Sequence, residues 1–144
     1  MTIEVPLNHK DKNMKKILFA LLLLGTSLFA DMKQVMATPE FLEKNPDIKI
    51  IDIRTPPEWR ETGLVKGSYT IVSFTQKGFN PKFLEELDKV VKKDETFALI
   101  CRTGSRTAEV SKWLAYDKGY NVIDLKGGLM HMKKMGYKPV KYLK

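Results

Sequence analysis

Cysteine is almost absent from this chain of 144 residues: there is one, Cys101. A single thiol excludes an internal disulfide framework and every Cys-rich zinc site. Histidine is nearly as scarce, and the two present, His9 and His131, lie too far apart to form a metal-ligand motif. The sequence thus points to no metal and no cofactor. Missing too is the interleaving of arginine with aromatics that marks a nucleic-acid groove. Lysine and arginine exceed aspartate and glutamate by 25 to 17, a net charge of +8, but the basic residues are scattered. The first thirty residues carry four lysines and two acids, so +6 remains beyond them. A charge of that sign favours small anionic ligands or serves solubility, and no nucleic-acid partner is expected. What is present is ordinary globular composition, 43% hydrophobic and 29% charged, at a length suited to one domain.

One long hydrophobic run stands apart from the rest. Met14, Lys15 and Lys16 precede an unbroken apolar stretch from Ile17 to Leu24, followed by Gly25, Thr26, Ser27, Leu28, Phe29 and Ala30 before Asp31. That order of basic, apolar and small residues reads as a secretory signal peptide over 14–30, with 1–13 an upstream extension and cleavage near Ala30. Ile17 to Ala30 is shorter than the roughly 20 residues a spanning helix needs, so no stable membrane span is expected. The expected product is residues 31–144, periplasmic or otherwise exported.

Beyond Asp31 the pattern alternates between strand and helix signals. Thr38, Pro39 and Glu40 form a helix start that carries Phe41 and Leu42 inward until Asn45-Pro46. Ile48, Ile50, Ile51 and Ile53 read as a strand covered on both faces, closed by Asp52 and Arg54. A short helix is predicted over 57–61, a loop over 63–68, and a second strand over 69–74. An amphipathic helix is predicted over 80–93, with Phe83, Leu84, Leu87, Val90 and Val91 on one face. A third strand covers 96–100, a helix 107–118 is capped by Gly119, and a fourth strand covers 121–125. Gly127-Gly128 opens a last helix that Gly136 ends. This spacing predicts an α/β fold: a central, mostly parallel sheet of about five strands with helices on both faces.

In such a sheet the ligand crevice lies beyond the carboxyl ends of the strands, and Cys101 falls there, between the third strand and the following helix. The loop Arg102-Thr103-Gly104-Ser105-Arg106 is short, and its one glycine permits a tight bend. Successive backbone N–H groups can converge there on an anion, aided by a helix start and Arg106. A thiol in that nest is expected to reach its thiolate form more readily than a free cysteine. The flanking Arg102 and Arg106 are expected to keep Cys101 out of an apolar setting. His131 is expected to be an exposed helix residue, and Met130, Met132 and Met135 to serve packing.

The loop from Cys101 to Thr107 resembles the Cys-x-x-Gly-x-Arg-Ser/Thr loop of the rhodanese-like sulfurtransferases, single-domain type. The resemblance extends to Ile51-Asp52-Ile53-Arg54 with Glu58 and Trp59, to Gly67-Ser68, and to Leu125-Lys126-Gly127-Gly128, spanning about 33–140. Leu64 stands where the family often has histidine and Leu129 where it often has tryptophan; both are read as packing changes. The resemblance implies a rhodanese-like fold with Cys101 as the catalytic nucleophile. Cys101 would take a sulfane sulfur from a small anionic donor such as thiosulfate or polysulfide and hold it as a persulfide. It would then pass the sulfur to cyanide or a thiol, with a thioredoxin-like protein among the conceivable partners. Arg102 would meet the donor's sulfonate, and Thr103, Gly104, Ser105, Arg106 and Thr107 would shape the loop. Arg106 would pair with Glu58 or Asp52, and Asp52, Arg54 and Glu58 would support the loop from behind.

Two other readings use the same residues. Cysteine phosphatases also place a thiolate in an anion-cradling loop ending in arginine, but with five residues between them; here there are four, a tighter loop suited to sulfur. A binding, sulfur-carrier or sulfide-sensing module is the other.

Overall fold

The computed structural model describes residues 30–144, so the upstream extension and all of the predicted signal peptide but Ala30 lie outside the described residues. Five parallel strands form the central sheet: β1 (Met32–Met36), β2 (Ile50–Asp52), β3 (Tyr69–Thr70), β6 (Thr96–Ile100) and β7 (Asn121–Lys126), in the order β1-β7-β6-β2-β3. β4 (Phe74–Thr75) and β5 (Gly78–Phe79) make a separate antiparallel hairpin. The helices are α1 (Pro39–Lys44), α2 (Pro56–Thr62), α3 (Phe83–Asp88), α4 (Ser105–Lys112) and α5 (Gly128–Lys134).

Strand alternation divides the core in two. Ile51, Phe97, Leu99 and Val122 face α3 and α4, where Phe83, Leu87 and Val110 meet them. Ile50, Ala98, Ile100, Ile123 and Leu125 face α1 and α5, where Phe41, Leu129 and Met132 meet them. The near-continuous apolarity of β2 and β6 follows, because both of their faces are covered. Register places Ile51 between Leu99 and Tyr69, and Leu99 beside Asp124, so the ends of β2 and β6 open at the same level. Leu64 and Leu129, the two departures from the family pattern, are both buried, as packing residues would be.

The predicted α/β architecture holds, with local differences that include the unpredicted β4–β5 hairpin. β1 has no counterpart among the predicted strands. It is an edge strand paired only with β7 and half exposed, so it has no apolar alternation to read. The predicted strand 69–74 ends early, because Ser73 turns both its N–H and its hydroxyl onto the Ile53 carbonyl and leaves the ladder. The predicted helix 80–93 contracts to α3. Asn80 accepts from the Lys82 N–H through its side chain (3.0 Å) and donates to Val72 O (2.8 Å), an arrangement that holds 80–82 in a turn. At its other end the paired β-branched Val90 and Val91 leave the helix. Finally, α4 begins at Ser105 rather than Thr107 and widens into a π-helical turn over Trp113–Asp117. No described helix is long and apolar enough to cross a membrane.

Candidate active site

Cys101 follows β6 directly, and two close approaches shape its loop. The Leu129 N–H donates to Cys101 O (2.9 Å) and the Met130 N–H to Arg102 O (3.0 Å), so the start of α5 grips the loop through backbone alone. Gly128 makes that possible. A Cβ there would lie 2.5 Å from Arg102 O and 2.6 Å from Cys101 O, and its φ of +62° is one that side chains disfavour. Gly128→Ala is accordingly expected to destabilise the protein by roughly 2 kcal/mol or more and to displace the Cys101 loop. A chemical denaturation midpoint measures the first effect, and an unchanged midpoint would count against the tight approach. Gly104 is the second such position: its φ is +97°, and an added Cβ would meet Gly127 N at 2.9 Å.

That conformation lets the Gly104 N–H donate to Cys101 Sγ at 3.2 Å. Thr107 Oγ1 lies 3.7 Å from the same sulfur and donates its own proton to Gly104 O at 3.2 Å. Thr103 and Ser105 are exposed, Ser105 opening α4. The Arg102 side chain is also exposed, pointing away from the sheet's apolar cluster.

One expectation is overturned. Cys101 is fully buried, and its side chain belongs to the apolar cluster with Ile53, Leu99 and Val110. The alternation that turns Phe97 and Leu99 to that face carries Cys101 with them, while the two arginines leave in other directions. Arg106 makes its hydrogen bonds to Glu58: its Nη1 donates to Glu58 Oε2 (2.8 Å) and its Nη2 to Glu58 Oε1 (2.6 Å). Glu58 is thus the partner of Arg106, and Asp52 is not.

Asp52 instead pairs with Arg54, and both are buried. The Asp52 carboxylate accepts from Arg54 Nε and Nη2 (2.9 and 2.8 Å) and from Trp59 Nε1 (3.0 Å). The remaining arms of Arg54 donate to Thr62 Oγ1 (2.6 Å) and Gly63 O (2.7 Å). This knot fixes α2 on the end of β2 and so places Glu58 beside the loop. Thr55 completes the arrangement, its N–H and hydroxyl donating to Glu58 Oε2 at 3.0 and 2.9 Å. The Thr-x-x-Glu spacing of Thr55 and Glu58 is the capping-box signal that would have identified Thr55 from sequence.

The Arg106 hydrogen bonds, against some desolvation and with help from Thr55, hold the Glu58 carboxyl well below its ordinary 4.5, at about 2. A depressed carboxylate stabilises the fold fully above its unfolded pKa and loses that contribution as protons bind. Glu58→Gln is therefore expected to cost about 1 kcal/mol at neutral pH, the pair being partly solvated. The gap between wild type and variant should close as pH falls from about 4.5 to about 2. Urea melts across that range measure it; a gap independent of pH would mean that Arg106 gains nothing from the charge.

Beside the loop is a cavity of about 330 Å³, walled by Glu61 and Thr62 of α2, Arg102, and Leu129, Met130 and Lys133 of α5, with Arg54 and Glu58 behind them. Met130 and Lys133 are three apart on one helical face, and Glu58, Glu61 and Thr62 share another. Only the tertiary fold could show that the two faces line one cavity. Of the three methionines in and just after α5, Met132 alone is buried. His131 is less exposed than expected, its Nδ1 lying 2.7 Å from Ala37 O at the end of β1. No cluster of three or more His, Cys, Asp or Glu suited to a metal occurs among the described residues.

The rhodanese-like domain pattern matches residues 38–135. The chain belongs to the rhodanese-like domain family. It is similar to YtwF of Bacillus subtilis (strain 168), a protein assigned by name to the sulfurtransferases. The two are 31% identical over 94 residues, covering 65% of this chain and 82% of that one. A rhodanese-related protein from Thermoplasma volcanium shares the architecture with a TM-score of 0.58 and 26% identity, over 73% of this chain and 94% of that one. A rhodanese-like domain protein from Staphylococcus aureus superposes with a TM-score of 0.60 over 78% of this chain and all of that one; at 20% identity it speaks for the fold alone. The family match and the Bacillus relative together support a sulfurtransferase family for this rhodanese-like domain.

Proposed function

We propose that the protein moves a sulfane sulfur from thiosulfate or polysulfide through a Cys101 persulfide to a thiol or to cyanide. The observation that carries this reading is the Gly104 N–H aimed at Cys101 Sγ inside a loop whose arginine is drawn off by Glu58. A backbone donor fixed there favours an anionic sulfur without bonding to it covalently, and it serves thiolate and persulfide alike.

In the first half-reaction the Cys101 thiolate attacks the outer sulfur of thiosulfate. The bond between the two thiosulfate sulfurs breaks, and sulfite leaves with its electron pair. In the second half-reaction the acceptor attacks the transferred sulfur, and Cys101 is released as thiolate. Charge and electrons balance with no external oxidant, and no separate base is needed. Arg102, exposed and next in sequence to the nucleophile, is the group to meet the sulfonate by charge and reach. The reading includes export, on the strength of the sequence from Met14 to Ala30, and allows a thioredoxin-like protein as a reductant or acceptor.

Thiocyanate formation from thiosulfate and cyanide tests the reaction, with the intact mass recorded after thiosulfate alone and after polysulfide. Turnover with a gain of one sulfur is the expected result. A gain without turnover would make the protein a sulfur carrier for another acceptor, and no gain from either donor would overturn the proposal.

A further inference from the structure

The cavity beside the loop is too large and too mixed in charge for the donor alone. Its volume is about 330 Å³, on the order of ten water molecules, whereas thiosulfate has five atoms. Arg102 and Lys133 contribute positive charge to its wall, and Glu61 contributes negative charge from the α2 side. All three side chains are exposed, and none takes part in an ion pair among the described residues. By contrast, the other two charged residues of the wall are already spent: Glu58 on Arg106, and Arg54 on Asp52. Between the free charges, Leu129 and Met130 supply apolar surface.

A dianionic donor makes no use of Glu61 and is repelled by it. A ligand carrying both signs uses the whole wall. Because sulfite departs before the acceptor enters, the cations that served the donor are free again in the second half-reaction. We infer that this cavity selects the sulfur acceptor, and that the acceptor is a small zwitterionic thiol of the amino-acid type. Its carboxylate meets Lys133 and Arg102, its ammonium meets Glu61, and its short aliphatic part lies on Leu129 and Met130. Lys133 and Glu61 are thereby specificity-determining residues. The inference rests on the sulfurtransferase reading and deepens it. The acceptor thiolate attacks the outer sulfur of the Cys101 persulfide; a new sulfur–sulfur bond forms on the acceptor, the bond to Sγ breaks, and its electron pair returns to Sγ.

The test follows discharge of the sulfur-loaded full chain by intact mass. L-Cysteine carries both charges, 3-mercaptopropionate only the carboxylate, cysteamine only the ammonium, and 2-mercaptoethanol neither. With rates expressed per thiolate, cysteine is expected to exceed 2-mercaptoethanol by roughly three- to tenfold, the range for two partly solvated ion pairs. Glu61→Gln should reduce the advantage of cysteine over 3-mercaptopropionate to about one, and Lys133→Met should lower its advantage over cysteamine while Arg102 retains part of it. Exchanging the two charges, with Glu61→Lys and Lys133→Glu together, should restore part of the preference for cysteine. Equal rates for all four thiols, or variants that slow all four by one factor, would overturn the inference while leaving sulfur transfer standing. Failure to load any sulfur would overturn the sulfurtransferase reading and this inference with it.

Discussion

Cys101→Ser is expected to lose thiocyanate formation by roughly 10⁴-fold or more and to show no mass gain with either sulfur donor. The hydroxyl is close to the thiol in size, and its oxygen can still accept the Gly104 N–H that now reaches Sγ at 3.2 Å. The grip of Leu129 and Met130 on the loop involves backbone atoms only, so the substitution leaves it in place. What changes is chemistry: a hydroxyl is scarcely ionised near neutral pH, and oxygen forms no persulfide in which to hold the transferred sulfur. Denaturation curves should therefore stay within about 1.5 kcal/mol of wild type while turnover disappears. That combination separates a nucleophile from a residue that merely fills the core with Ile53, Leu99 and Val110. A serine variant that keeps a tenth of the activity would remove Cys101 from the mechanism.

The second large effect is on stability. Arg54→Ala is expected to cost about 3–5 kcal/mol, because it strands the Asp52 carboxylate in a site where both residues are at most 1% exposed. Trp59 would still donate to one carboxylate oxygen, but Thr62 Oγ1 and Gly63 O would lose their guanidinium donor. Total stability for a domain of this size is of order 5–15 kcal/mol, so the variant would be close to unfolding at moderate temperature. Replacing both members of the pair with apolar residues, Asp52→Leu with Arg54→Met, is expected to recover much of the loss, since no charge is then left alone. Urea midpoints for the single and double variants decide between desolvation and simple lost packing. If the double variant is as unstable as Arg54→Ala, the deficit comes from the missing hydrogen bonds to α2 rather than from the stranded charge.

Much of the architecture follows from local pattern. β2 and β6 announce themselves as unbroken apolar runs because each has neighbours on both edges and helices over both faces, and the Thr38-Pro39 and Thr55–Glu58 starts carry their own capping chemistry. The Cys101–Thr107 loop is legible for a similar reason: the tight bend, the backbone N–H aimed at the sulfur and the helix start are properties of consecutive residues. The pairing of Arg106 with an acid was also in reach, but Glu58 and Asp52 stood equal until tertiary structure separated them. Arg54 is two residues from Asp52 and claims it within the strand end, leaving Glu58 to face the loop from α2.

Other features depended on distant contacts and had no local signal. β1 exists because β7 offers it an edge, and α3 is short because the Asn80 side chain reaches Val72 O. Cys101 lies in the apolar core because strand alternation outweighs the preference of two neighbouring arginines for water. The sequence by itself determined the fold class and the tight loop that starts at Cys101, since these rest on periodicity and on residues adjacent in the chain. Which carboxylate supports the loop, how deeply the thiol is buried, and that Glu61, Arg102 and Lys133 line one cavity were decided only when α2 and α5 packed at the ends of the strands. Those relations join residues up to 72 positions apart, Glu61 and Lys133, and no local pattern encodes them.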